Sequence, residues 1–179
     1  MSFSASKTSS ATPSVVTPPS SGLVAFENLR LQDDPFDAVP WPGNTYNIIE
    51  ESTGQLLAAE GHGNFPVNLR LKDPKGGFAP NISWLCVEAN GYFGLFNQRS
   101  NVYLSTYAQH NGLPSTFGPD QYFVPRRHPK GGYQLLSPVG NTLKQFAVVP
   151  PDATSVATFV RRQHAGTIWR FVRVSTGDN

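Results

Sequence analysis

Three stretches of this chain open on a tyrosine, run as a short apolar strand, turn on polar residues and return to a leucine. The first is Tyr46-Asn47-Ile48-Ile49-Glu50, turning at Ser52-Thr53-Gly54 and returning through Gln55-Leu56-Leu57. The second is Tyr92-Phe93-Gly94-Leu95-Phe96, turning at Gln98-Arg99-Ser100-Asn101 and returning through Val102-Tyr103-Leu104. The third is Tyr133-Gln134-Leu135-Leu136, turning at Ser137-Pro138-Val139-Gly140-Asn141 and returning through Thr142-Leu143. Strand, polar turn and strand is the pattern of a β-hairpin. The opening tyrosines are 46 and 41 residues apart, and the return leucines follow them by 11, 12 and 10 residues. A chain with such an internal repeat folds as related units that bury one shared core.

Each unit also closes on an aromatic strand: Ser83-Trp84-Leu85-Cys86-Val87, Gln121-Tyr122-Phe123-Val124 and Ile168-Trp169-Arg170-Phe171-Val172. Between hairpin and closing strand there is room for one more strand. Val67-Asn68-Leu69-Arg70-Leu71 fills that slot in the first unit and Ala157-Thr158-Phe159-Val160 in the third. In the second only Leu113 to Phe117 is available. Four strands in each of three units make about twelve. An isolated hairpin is marginal in water, but three can close a small barrel and remove most free edges. Gly and Pro number 16 each, which favours turns and short strands over long helices. The reading is an all-β domain with a core drawn from Tyr46, Trp84, Tyr92, Phe123, Tyr133 and Trp169.

This arrangement resembles the β-trefoil superfamily. The closing strands resemble the Gln-x-Trp strand of ricin-B-type lectin repeats: Gln121-Tyr122-Phe123 keeps the Gln, while Ile82-Ser83-Trp84 and Thr167-Ile168-Trp169 keep the Trp. The second hairpin, ending Val102-Tyr103-Leu104-Ser105, resembles a fascin repeat, and fungal trefoil protease inhibitors are similar in size and in ending on a Trp strand. The resemblance covers about 130 of the 179 residues. It implies a non-enzymatic binding module of the carbohydrate-binding, ricin-B-like type. A protease inhibitor acting through loops such as Leu113 to Pro119 or Pro150 to Ser155, and a fascin-like scaffolding module, are the alternatives. In ricin-type repeats an Asp just after the return-strand leucine receives sugar hydroxyls. Here Leu57, Leu104 and Leu143 are followed by Ala58, Ser105 and Lys144, none of them an acid.

Outside the repeats the chain changes character. Residues 1–22 hold 14 Ser, Thr and Pro and are read as a flexible tail, since they offer too little apolar surface to order themselves. In 23–43, Pro35, Pro40 and Pro42 forbid a long helix, while Phe36 and Trp41 are costly to leave in water. That segment reads as an irregular arm packed on the domain. The domain itself spans 44–174, with repeats at about 44–89, 90–131 and 132–174.

The formal net charge of +2 is too small to point to nucleic acid as partner. It hides an asymmetry: residues 1–120 hold 6 basic and 10 acidic residues, residues 121–179 hold 8 and 2. The basic excess sits in Arg126, Arg127, Lys130, Lys144, Arg161, Arg162, Arg170 and Arg173, and alternation through Trp169–Val174 places such cations on the wet side of a strand. Cys86 is the only cysteine, so no intrachain disulfide forms, and the N-terminus has no apolar signal-peptide core. A cytoplasmic protein is the expectation.

Catalytic patterns are sparse. His62, His110, His128 and His164 lack the spacing of a zinc pair, and no cofactor or metal is implied. Cys86 lies in a strand that reads as core, so an inert buried thiol is expected. Glu50 and Glu51 are neighbours on a strand, point to opposite faces and are read as solvated at a turn. The polar loops after the first two hairpins are the candidate ligand site: Glu60, His62 and Asn64, then Tyr107, Gln109, His110 and Asn111. The second group sets an aromatic beside amide and imidazole groups, the chemistry a sugar pocket uses. The expected partner is a glycan or a protein ligand, without a membrane.

Overall fold

The structure is a computed structural model and describes residues 37–61, 66–76, 80–106, 112–149 and 158–174. The strands form where apolar residues alternate. In β1 (Thr45–Glu50), Tyr46, Ile48 and Glu50 are buried and their neighbours half-exposed. Strand pairing then closes a ring. β1 pairs with β4 (Ser83–Ala89) on one side and β11 (Trp169–Arg173) on the other. β4 pairs with β5 (Tyr92–Asn97), β7 (Val124–Arg127) pairs with β8 (Tyr133–Val139), and β8 meets β11 at Tyr133 and Trp169. The last link joins β5 to the start of β7: Phe93 and Phe123 exchange N–H···O bonds of 2.9 and 2.8 Å. Each opening strand therefore lies between the closing strand of its own unit and that of the preceding unit. Six strands with no free edge make a closed barrel.

The return strands β2 (Leu56–Glu60), β6 (Val102–Tyr103) and β9 (Thr142–Val149) complete three hairpins, and β3 (Asn68–Lys72) and β10 (Thr158–Arg162) add to the first and third. The expected extra strand of the second unit is missing among the described residues, so there are eleven strands, not twelve. Residues 112–118 run there irregularly, tied by Leu113 N–H to Val67 O and Tyr103 N–H to Pro114 O, both 2.7 Å. Aromatic packing replaces the ladder. Half-buried Tyr92, Tyr122, Phe117, Tyr103 and Phe96 touch in sequence, with ring centroids 4.7–5.3 Å apart. Gly94 makes this possible: a Cβ there would stand 2.3 Å from the Phe117 ring.

The register corrects two of the repeat positions. Tyr46 lies opposite Trp84 and Tyr133 opposite Trp169, but it is Phe93 that lies opposite Phe123. Tyr92 is therefore not a core residue. It sits one position out, on the outer face, half-buried and stacked on Tyr122, because a one-residue shift in a strand reverses the side chain. In the third hairpin the strand runs through Ser137, Pro138 and Val139, and the turn is only Gly140-Asn141. Leu143 is 48% exposed, and Phe146, fully buried, takes the place of Leu57 and Leu104. The residues after these three are Ala58, Ser105 and Ala147, all buried.

The core is aromatic and continuous. Trp84, Trp169, Tyr46, Phe123, Phe146 and Phe171 are almost fully buried, and Tyr133 is 5% exposed. Phe146 stacks on Trp169 at 5.4 Å and meets Phe123 edge-on at 5.8 Å, which links the second and third units. Trp84 donates its indole N–H to Leu57 O at 2.9 Å. Cys86 lies fully buried in this core, as its strand implies. Arg170 and Val172 alternate with buried Trp169 and Phe171 on the wetter side of β11, while Arg173, in step with the buried pair, is exposed because the strand ends there.

Of residues 23–43, those from 37 onward are described. Ala38 is fully buried and donates its N–H to Phe171 O at 2.7 Å, and Pro40 is buried. Trp41 departs from expectation: it is 63% exposed, touching Phe93 edge-on at 6.4 Å. Its backbone is held between two prolines and donates to the Tyr46 hydroxyl, which itself donates to Val39 O at 2.9 Å. That anchoring leaves the indole turned out. Residues 1–22 and Phe36 lie outside the described residues.

Candidate functional site

A concavity among the described residues lies where the first unit meets the third. Its near wall is the β1–β2 turn, its far wall the 166–168 segment leading into β11, and its volume is about 350 Å³. Leu71, Val148 and Ile168 form an aliphatic floor, while Glu51, Ser52, Thr53, Gln55 and Thr167 supply polar groups.

The near wall is built by Glu50. It is the fifth residue of its unit counted from Tyr46, and the matching positions Asn97 and Ser137 are also buried and polar. The Glu50 carboxylate accepts the N–H of Ser52 at 3.1 Å and of Thr53 at 2.8 Å, and the hydroxyls of Ser52 at 2.8 Å and Thr53 at 2.6 Å. Gly54, at φ +71°, closes the turn by donating to Glu50 O at 2.9 Å. The pair Glu50-Glu51 is thus not a pair of solvated neighbours. Glu51 is at the surface and ion-paired with Arg170, whereas Glu50 is 6% exposed and organises the turn. Burial pushes its carboxyl upward, but the bonds from Thr53 and Ser52 outweigh this and hold it below its usual range.

The far wall is tied to the sheet. Thr167 Oγ1 accepts the Val148 N–H at 2.7 Å, and Gly166 donates its N–H to Gln145 Oε1 at 2.7 Å. A Cβ on Gly166 would stand 2.3 Å from Gln145 Oε1, so only glycine lets the backbone lie this close. Glu51 N–H donates to Ile168 O at 3.0 Å and joins the two walls. The cleft is a fixed feature, with hydroxyl, amide and carboxylate groups around an apolar base.

The Glu50 carboxylate is engaged by its own turn. Burial pushes the Cys86 thiol up to about 12, with Glu88 adding to the effect, so no thiolate is at hand. Among the described residues no group of three or more His, Cys, Asp or Glu could hold a metal. None of their helices is long and apolar enough to cross a membrane.

Of the site residues expected from sequence, Glu60 ends β2, half-exposed and paired with Lys72 at 2.7 Å, and does not line the cleft. His62, Asn64, Tyr107, Gln109, His110 and Asn111 lie outside the described residues. The cleft residues escape sequence reading because they come from four separate segments. The one local signal is the run Glu50-Glu51-Ser52-Thr53-Gly54, acceptor groups followed by donors and a turn glycine.

A closed six-strand barrel with three hairpins from repeated units defines a β-trefoil, and this protein has that fold. Solved structures agree. A designed 3-fold symmetric protein, ThreeFoil, is similar over 73% of this chain and 99% of its own, with TM-score 0.58 and 20% identity. A Polyporus squamosus lectin, bound to the human-type influenza-binding epitope Neu5Acα2-6Galβ1-4GlcNAc, is similar over 74% of this chain with TM-score 0.57 and 14% identity. This chain spans half of that lectin's length. The SDF2-like protein from Arabidopsis thaliana is similar over 73% of this chain and 92% of its own, with TM-score 0.54 and 10% identity. No protein-family model matches the sequence, and no curated protein does.

Proposed function

We propose that this protein is a non-catalytic, carbohydrate-binding β-trefoil module whose site is the cleft between the β1–β2 turn and residues 166–168. The cleft itself carries the reading. A pyranose presents hydroxyls around its edge and C–H groups on its face, and the cleft offers polar groups around Leu71, Val148 and Ile168. Its size suits one or two sugar rings, and a lectin is among the proteins that share the fold. The site is non-standard for a ricin-type lectin, because Ala58, Ser105 and Ala147 stand buried where that family places its sugar-binding acid. Glu60, His62 and Asn64, with Tyr107, Gln109, His110 and Asn111, remain further candidate ligand contacts, for the polar and aromatic chemistry they carry. The trefoil unit is 44–174 with an N-terminal extension. A lone, buried cysteine fits a reducing, cytoplasmic setting.

The test is a glycan array followed by titration calorimetry of the best binders, with N-acetyllactosamine as a starting probe. Gln55→Ala removes a cleft-lining amide whose side chain makes no hydrogen bond among the described residues. It is expected to weaken sugar binding by up to about tenfold, the worth of one neutral hydrogen bond, without changing the melting temperature. Binding that Gln55→Ala and a cleft-filling Gln55→Trp both leave unchanged places the site elsewhere, and an array with no binder overturns the reading.

A further inference from the structure

β7, β8, β9 and β10 lie side by side and hold five cations, Arg126, Arg127, Lys144, Arg161 and Arg162, and no acid. Two of these are matched from elsewhere: Arg127 by Asp37 at 2.6 Å and Arg161 by Asp120 at 3.5 Å. Arg126 and Arg162 are exposed and have no ion-pair partner among the described residues. They share one face of these strands with two glutamines, Gln134 half-buried and Gln145 8% exposed beneath Gly166. Arg126 lies opposite Gln134 and Arg162 opposite Gln145. Gln134 Oε1 accepts from Arg126 Nη2 at 2.6 Å and Nε at 3.1 Å, and Gln134 Nε2 donates to Gln145 Oε1 at 3.2 Å. The result is a row across four strands, a guanidinium at each end and an amide pair between. Adjacent strands are about 4.8 Å apart, so Arg126 and Arg162 stand roughly 14 Å apart across the row, a span that two extended arginine side chains can close onto one anionic group.

We propose that this row is an anion seat adjoining the cleft, and that the ligand is an acidic saccharide carrying a carboxylate or sulfate. This rests on the carbohydrate reading of the cleft. The two features are continuous, because Gln145 holds the cleft wall through Gly166 and stands directly across from Arg162. The acids at the cleft do not oppose such a ligand: Glu51 is paired with Arg170, and the Glu50 carboxylate faces the donors of its own turn. Guanidinium groups bind carboxylate and sulfate through paired charge-assisted hydrogen bonds, and the neutral amides fix the spacing between them.

The experiment is titration calorimetry of the intact protein with three ligands: N-acetyllactosamine, its 6-sulfated form and its sialylated form. At low salt at least one acidic form is expected to bind about tenfold or more tightly than the neutral one, and which of them does identifies the anion. The gap is expected to close at about 0.5 M salt, where exposed charges are screened. The double substitution Arg126→Gln, Arg162→Gln is expected to erase the gap and leave neutral binding in place; an unchanged melting curve shows that it folds. Equal affinity for all three ligands, or a gap that survives the double substitution, overturns the anion seat and leaves the cleft reading standing. Failure of all three, together with an empty array, overturns both.

Discussion

Glu50 is a carboxylate used as a building element. Four donors from two residues, Ser52 and Thr53, satisfy it, so the turn that walls the cleft depends on its charge. Hydrogen bonds to a charged group contribute about 1.5–3 kcal/mol, and Glu50→Gln is expected to lose a stability of that order at pH 7, read by urea denaturation. The pH dependence has a definite sign. The carboxyl is held lower in the folded protein than its ordinary 4.5, so its contribution is complete above that value and is lost as pH falls through the folded-state value. The difference between wild type and Glu50→Gln is expected to shrink as pH drops below about 4.5. A difference that stays constant through that window assigns the effect to shape alone. The sequence shows that acceptors precede donors here, but an acid next to a turn is ordinarily wet, and only the closure of β11 onto β1 covers this one.

At the level of elements, the second unit shows how packing can stand in for pairing. The first and third units have β3 and β10 beside the return strand. The second has irregular chain and a row of five aromatic rings over the outward face of β5. The row depends on Gly94, whose missing side chain leaves space for Phe117. Gly94→Ala forces a methyl into that ring and is expected to cost about 1–3 kcal/mol, the usual penalty of overpacking. A melting temperature equal to wild type would mean that the ring is free to move away. The weakness of Leu113 to Phe117 as a strand is visible in the sequence. What fills the gap is not, because Tyr92, Phe96, Tyr103, Phe117 and Tyr122 meet only once β5 and the following loop are folded. The same logic explains the mistaken role of Tyr92. Tyr92 and Phe93 are adjacent aromatics, either of which fits a repeat, and only the bridge from Phe93 to Phe123 selects the inward one.

For the whole molecule, the closed ring makes each unit depend on its neighbours. Trp169 lies opposite Tyr133 of its own unit and opposite Glu50 of the first, while its ring stacks on Phe146. Trp169→Ala is expected to cost about 3–5 kcal/mol, measured by equilibrium denaturation, and a loss below about 1 kcal/mol would contradict the packing. Unfolding is expected to be a single transition by fluorescence and circular dichroism alike, since no unit has a core of its own.

The repeated order of opening aromatic, return-strand apolar residue and closing aromatic determined the class, the number of units and most strands. It did so because side-chain alternation and turn chemistry are local and survive in the one-dimensional chain. Tertiary structure alone decided the register of the second unit, the burial of Glu50 and the place of the cleft. Each of these follows from which strands become neighbours around the ring. The cleft walls are more than a hundred residues apart in sequence, and Arg126 and Arg162 become parts of one surface only because β8 and β9 lie between them.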